Sequence, residues 1–243
     1  MIPAAAQYRP ILTNERWMGS PTPLRILIAD DHPLVRKAIC PVFMDDGSEY
    51  EFIEADGLDS ALDLLAANAT DLLLMDLGMP GMAGTDCLRA LRETYPATKI
   101  AVITGQDDRR TILECLSAGV HGYIQKASPV EEIMQAIASI LAGRVYVTLA
   151  LARSGGLQAG SQNNAESLQY STPAPHGSAG APRLTKRQAE VLRLLRQGQP
   201  TKQIARGLDL GIGTVKIHLA AVFRALNAKN RTATALLAAK FNL

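Results

Sequence analysis

The stretch Asp71-Leu72-Leu73-Leu74-Met75-Asp76-Leu77-Gly78-Met79-Pro80-Gly81-Met82-Ala83-Gly84 decides the fold. Its apolar run, Leu72 to Met75, shows no polar alternation. A carboxylate follows, then a loop with three glycines and a proline. A short apolar run bounded by turn signals reads as a strand buried on both faces, as at the centre of a parallel sheet. Open parallel sheets bind ligands outside the carboxyl ends of their strands. Asp76 therefore stands where chemistry is expected.

The flanking sequence repeats the pattern. Residues 24–29 read as a strand ending at Asp30 and Asp31, and 33–44 as a helix with Pro33 in its first turn, where a missing N–H costs nothing. Strands follow at 51–53, 99–104 and 122–125. Helices alternate with them at 60–68, 85–95, 109–118 and 129–142. Strand–helix alternation specifies an α/β doubly wound, five-stranded parallel sheet with helices on both faces. Right-handed crossovers then gather the ends of the first, third, fourth and fifth strands along one edge.

The ends gathered there are chemically specific. Three carboxylates, Asp30, Asp31 and Asp76, repel one another unless a cation neutralises them. Oxygen-only ligands suit Mg²⁺, which is usually held by one or two carboxylates and water. Thr104 closes the fourth strand with a hydroxyl, and Lys126 follows the fifth with a compact positive charge. Singly, each residue has an ordinary role as a cap, a strand former or a solvated lysine. Their joint order on successive strand ends suits phosphoryl transfer onto Asp76, with cation and lysine stabilising the charge.

Composition bounds the rest. The 47% hydrophobic and 20% charged residues are ordinary for a globular protein, and no apolar run approaches the length of a membrane span. The N-terminus lacks the basic start and apolar core of a secretory leader. Cys40, Cys87 and Cys115 are scattered without metal-ligand spacing and read as reduced core thiols of a cytoplasmic protein. Residues 1–22, broken by prolines, read as an extension before a domain at 23–148. Residues 149–182, rich in Ser, Gly, Ala, Gln, Asn and Pro, read as a flexible linker.

The net charge of +2 hides a split. From Arg183 onward twelve Lys or Arg face two acids, a net +10, which leaves thirteen against twenty-one, or −8, for the remainder. A basic end on an acidic body points to a polyanionic partner. Residues 183–243 read as four short helices, the first opened by a capping box at Thr185 and Gln188. In the third, Val215, Leu219, Val222 and Leu226 form a buried stripe, and Lys216, Ile217, Ala220 and Arg224 lie opposite. Small side chains there permit close approach to a DNA groove, while Lys216 and Arg224 can meet phosphate or guanine. The competing reading is a helical interaction domain with a solvated basic face. His218 reads as a packing residue, and Glu190 as an internal partner for an arginine.

Residues 24 to about 142 resemble the receiver domain of two-component response regulators. The resemblance rests on Ile28-Ala29-Asp30-Asp31-His32-Pro33, Leu74-Met75-Asp76-Leu77-Gly78-Met79-Pro80-Gly81, Val102-Ile103-Thr104 and Gly122-Tyr123-Ile124-Gln125-Lys126. It implies that Asp76 accepts the phosphoryl group. Asp30, Asp31, Asp76 and the Gly78 carbonyl would hold Mg²⁺, Lys126 would pair with the phosphoryl, and Thr104 and Tyr123 would form a switch pair. Residues 184–241 resemble the LuxR-type helix-turn-helix of NarL/FixJ-type regulators through Leu184-Thr185-Lys186-Arg187-Gln188-Ala189-Glu190-Val191-Leu192, Lys202-Gln203-Ile204-Ala205, Gly213-Thr214-Val215-Lys216-Ile217-His218 and Asn230-Arg231-Thr232. This resemblance implies DNA contacts from Lys202, Thr214 and Lys216, with the last helix pairing two subunits. The departures are Gly78, more flexible than the residue often found there, Ala127, where many receivers carry proline, Ala220, where relatives often carry a polar or basic group, and Pro200, where a capping serine is common.

The combined expectation is a cytoplasmic, non-enzymatic transcription regulator. A sensor histidine kinase phosphorylates it, Tyr123 then moves inward, and a homodimer engages double-stranded DNA without membrane association. Two rivals are a DNA-binding dimer indifferent to phosphorylation, and an enzyme using Asp76 as a covalent nucleophile on a phosphorylated metabolite.

Overall fold

A computed structural model of the chain describes residues 23–39, 50–82, 84–106, 108–148, 184–228 and 230–240. The expected extension at 1–22, the whole of the expected linker at 149–182, Cys40 and the end of the first helix lie outside the described residues. The first domain runs β1 (Leu24–Ala29), α1 (Pro33–Ile39), β2 (Tyr50–Ala55), α2 (Leu58–Ala67), β3 (Leu72–Met75), α3 (Thr85–Thr94), β4 (Lys99–Thr104), α4 (Arg109–Ser117), β5 (Gly122–Gln125), α5 (Val130–Leu141) and β6 (Tyr146–Val147). The second runs α6 (Lys186–Arg196), α7 (Thr201–Leu208), α8 (Ile212–Ala225) and α9 (Arg231–Lys240).

The sheet is parallel, in the order β2-β1-β3-β4-β5-β6. The expectation of five strands is corrected to six. Tyr146 and Val147 add a short edge strand beside Gly122 and Tyr123, and β5 alone holds it. Successive strand residues point to opposite faces. Leu27, Leu73, Met75, Ile100 and Val102 enter a core beneath α2, α3 and α4. Ile26, Ile28, Leu72, Leu74, Ala101 and Ile103 enter a second core beneath α1 and α5. Strand order reverses at β1 and β3, the switch point where open sheets bind ligands.

The helical domain encloses its own core, with Val191, Leu192 and Leu195 of α6 meeting Ile204 of α7 and Val215, Leu219 and Val222 of α8. The Thr185 side chain accepts from the Gln188 N–H at 3.3 Å, and Gln188 Oε1 accepts from the Thr185 N–H at 2.9 Å. These two bonds satisfy orphan donors at the start of α6. The two domains also touch, because α8 lies against α2 and α3.

Candidate functional site

Backbone ladders carry the acidic residues to a common edge. The Asp30 N–H donates to Ala55 O at 3.1 Å, the Asp76 N–H to Ala29 O at 2.9 Å and the Lys126 N–H to Thr104 O at 2.9 Å. The strands thus continue one residue beyond their named ends and fix where each side chain begins. Asp30 and Asp76 are buried, Asp31 is partly exposed and Thr104 is buried.

Lys126 Nζ lies 2.8 Å from Asp30 Oδ2 and 2.8 Å from Asp76 Oδ2. Burial pulls the ammonium's pKa down, but the hydrogen bonds and charges of Asp30 and Asp76 outweigh it and hold the group above the ordinary lysine range. Ligand atoms of Asp30, Asp31, His32 and Asp76 all lie within 4.8 Å of one another. Asp31 Oδ1 is buried, with His32 Nδ1 at 2.9 Å as its neighbour and no hydrogen bond of good geometry. One lysine does not balance three carboxylates, and carboxylate oxygens gathered this closely fit a hard divalent cation. A Cβ at Gly78 would sit 3.2 Å from Asp76 Oδ2, so glycine keeps space open beside that carboxylate.

Tyr123 is buried, and its hydroxyl donates to Gln106 O at 2.7 Å, while the Gln106 N–H donates to Thr104 Oγ1 at 3.3 Å. This interior seat is the one that the expected inward movement of Tyr123 would reach. The ring already occupies the interior and already ties β5 to the loop after Thr104. His32, absent from the expected ligand set, reaches Asp30 at 3.1 Å and Asp31 at 2.9 Å through Nδ1. Its place directly after Asp31 was the available signal.

The helical domain's expected DNA face is where sequence and structure part most. Lys202 is exposed on α7, but α8 turns its outer face onto the first domain. Ile217 is fully buried and joins the core beneath α2 and α3, with Ala220 packed against it. Thr214 is buried, its Oγ1 3.3 Å from Cys87 Sγ. Lys216 Nζ lies 2.6 Å from Asp59 Oδ2. Arg224 donates to Thr94 O and stacks 4.4 Å from the centre of the Tyr95 ring. Burial, partly opposed by Arg224, raises the pKa of the Tyr95 phenol. Small residues that suit a groove also suit close contact with a protein surface, and sequence alone does not separate the two. His218 is buried as expected, and Glu190 pairs with Arg187 at 2.7 Å.

Residues 26–138 match the response regulator receiver domain, and residues 182–238 match the bacterial regulatory proteins of the luxR family. The glycerol metabolism activator of Pseudomonas putida is 37% identical over 208 residues, 85% of this chain and 91% of the relative. The nitrate/nitrite response regulator protein NarP of Escherichia coli is 33% identical over 90% of this chain and 96% of its own length. The RcsB response regulator of Salmonella typhimurium shares the fold with a TM-score of 0.51 at 20% identity, covering 90% of this chain and 99% of that one. Among the described residues no helix is long and apolar enough to cross a membrane.

Proposed function

The chain belongs to the two-component response regulators that join a receiver domain to a LuxR-type helix-turn-helix, and on that premise we propose that Asp76 is its phosphoacceptor and that the seam between the domains is what phosphorylation opens. The family controls transcription through phosphorylation and DNA binding. In this reading 23–148 is the receiver, 149–182 the linker, 183–243 the DNA-binding domain and 1–22 an extension.

The observation that carries the reading is Lys126 Nζ, equidistant from Asp30 and Asp76 within a knot of carboxylates at the switch point of the sheet. A carboxylate oxygen of Asp76 attacks phosphorus, the P–N bond of a kinase phosphohistidine breaks, and the imidazole leaves with the bonding electrons. Lys126 releases its bond to Asp76 and follows the charge onto the phosphoryl oxygens. Thr104 offers its hydroxyl from the end of β4. Mg²⁺ held by Asp30, Asp31, Asp76 and the Gly78 carbonyl would neutralise the phosphoryl oxygens.

Release of α8 frees Lys216, Ile217, Ala220, Thr214 and Arg224 for a major groove, with Lys202 adding a phosphate contact. A cytoplasmic homodimer then places two such helices on paired half-sites. The rival, a DNA binder indifferent to phosphorylation, is disfavoured because this face is covered by the receiver, the domain that carries Asp76. Asp76→Asn should abolish labelling by acetyl phosphate, with the circular-dichroism melt preserved. Undiminished labelling of the folded variant would move the phosphoacceptor elsewhere.

A further inference from the structure

The seam contains a contact made by backbone alone. Gly213 is the second residue of α8, and a Cβ built there would overlap the carbonyl oxygen of Gly81 and come within 3.0 Å of Leu58 Cδ2. The nearest atoms to that Cβ all belong to the receiver. Gly81 lies on the loop after Asp76 at φ +95, a conformation that L side chains rarely adopt. Two glycines, one from each domain, thus meet where the phosphoacceptor loop reaches the recognition helix.

We propose that Gly213 is the residue that allows the molecule to close, so that any side chain at this position converts it to an open, phosphorylation-independent DNA binder. A backbone carbonyl cannot retreat without shifting the loop that carries it, whereas the end of a lysine chain can. The neighbouring contacts depend on this approach. Thr214 follows Gly213 and meets Cys87, and Ile217 lies one helical turn further along the buried face. Lifting α8 by the radius of a methyl group would pull both from their partners. The same contact gives the loop carrying Asp76 a direct mechanical hold on α8 through main chain. This assignment rests on the reading that closure covers the DNA face.

The test combines Gly213→Ala with Asp76→Asn in the full chain, so that phosphorylation is removed. Two quantities are read: binding to a random-sequence duplex of about 30 base pairs at low salt, and modification of Cys87 by a maleimide, followed by peptide mass spectrometry. Relative to Asp76→Asn alone, affinity should rise roughly tenfold, and Cys87 should change from protected to reactive. Helix melting should hold, because alanine favours a helix interior over glycine.

Unchanged affinity with Cys87 still protected would overturn the assignment. So would loss of DNA binding with a melted C-terminal domain, since Gly213 would then serve its own domain. Beryllofluoride on the wild-type chain separates the two readings. If it changes neither quantity while Gly213→Ala changes both, control by phosphorylation fails and the steric role of Gly213 stands.

Discussion

The two faces of α8 are both buried, yet they are built differently. The inner face presents Val215, Leu219, Val222 and Leu226 to α6 and α7, a continuous apolar stripe inside its own domain. The outer face presents Ile217 and Ala220 to the receiver, rimmed by Lys216 and Arg224 with partners Asp59, Thr94 and Tyr95. The inner face has no use in water. The outer face has cations that a polyanion can take over and an apolar centre small enough to give up. Buried groups at the outer seam are also left unsatisfied: Thr94 Oγ1 and the Tyr95 hydroxyl have no hydrogen-bond partner among the described residues. Each such group costs on the order of 1–3 kcal/mol. On the proposed reading, one helix thus carries a permanent interface and a releasable one.

The largest expected effect tests that division directly. Val222→Asp buries an unpaired carboxylate in the inner core and should cost more than about 4 kcal/mol, enough to erase the C-terminal melting transition. Ile217→Asp is equally buried in the closed chain but has an escape, because the domains can part and return residue 217 to water. Its melt should retain the C-terminal transition while Cys87 becomes reactive to maleimide. Equal loss of the transition in both variants would show that the seam is no more releasable than the core.

The acidic site was legible because its residues follow a local rule. Asp30, Asp76, Thr104 and Lys126 each stand at or just past a strand end, and parallel topology gathers those ends whatever the helices between them. The capping box of α6 and the stripe on α8 were legible for the same reason, since period and spacing lie within one element. The edge strand β6 was not, because two residues carry no period and their pairing depends on β5 alone. The fate of the outer face was not legible either. Lys216 meets Asp59 across 157 residues, and the approach of Gly213 to Gly81 is a matter of backbone shape with no side-chain signature. Residues that suit a groove look the same in sequence whether DNA or the receiver covers them.

The domains also differ in how they hold a buried imidazole. In the receiver, His121 Nδ1 accepts from the Ile100 N–H at 3.0 Å, and burial, assisted by Arg92, lowers the pKa to about 4. In the DNA-binding domain, burial and then Arg187 lower the pKa of His218, whose Nδ1 has no partner among the described residues. Both rings are neutral when folded. An unfolded histidine titrates near about 6.5, so below that pH the unfolded chain takes up a proton that the folded ring refuses. The His121 contribution is complete above about pH 6.5 and drains away as pH falls toward 4, amounting to roughly 2 kcal/mol after allowance for solvent screening. His121→Gln should be less stable than wild type at pH 7.5 but lose less stability between pH 7 and 4.5, measured by urea denaturation. Parallel pH profiles for the two proteins would remove His121 from the receiver's acid sensitivity.

The smallest effect concerns the charged rim. Lys216 and Asp59 are 2.6 Å apart, but their side chains are 36% and 70% exposed. Exposed pairs of this kind are worth about 0–1 kcal/mol and weaken as salt shortens the screening length. If the apolar centre holds the seam and the rim only aligns it, Asp59→Ala should raise maleimide reactivity at Cys87 by less than about fivefold at low salt. At about 0.5 M salt, where the Debye length is near the contact distance, the increment should vanish. The Asp59 variant leaves every residue of α8 intact, so a change in Cys87 reactivity reports the seam and not the fold of the DNA-binding domain. A rise matching that of Ile217→Asp, and abolished by salt, would reverse the assignment: charge would then hold the outer face closed, and ionic strength alone would open it.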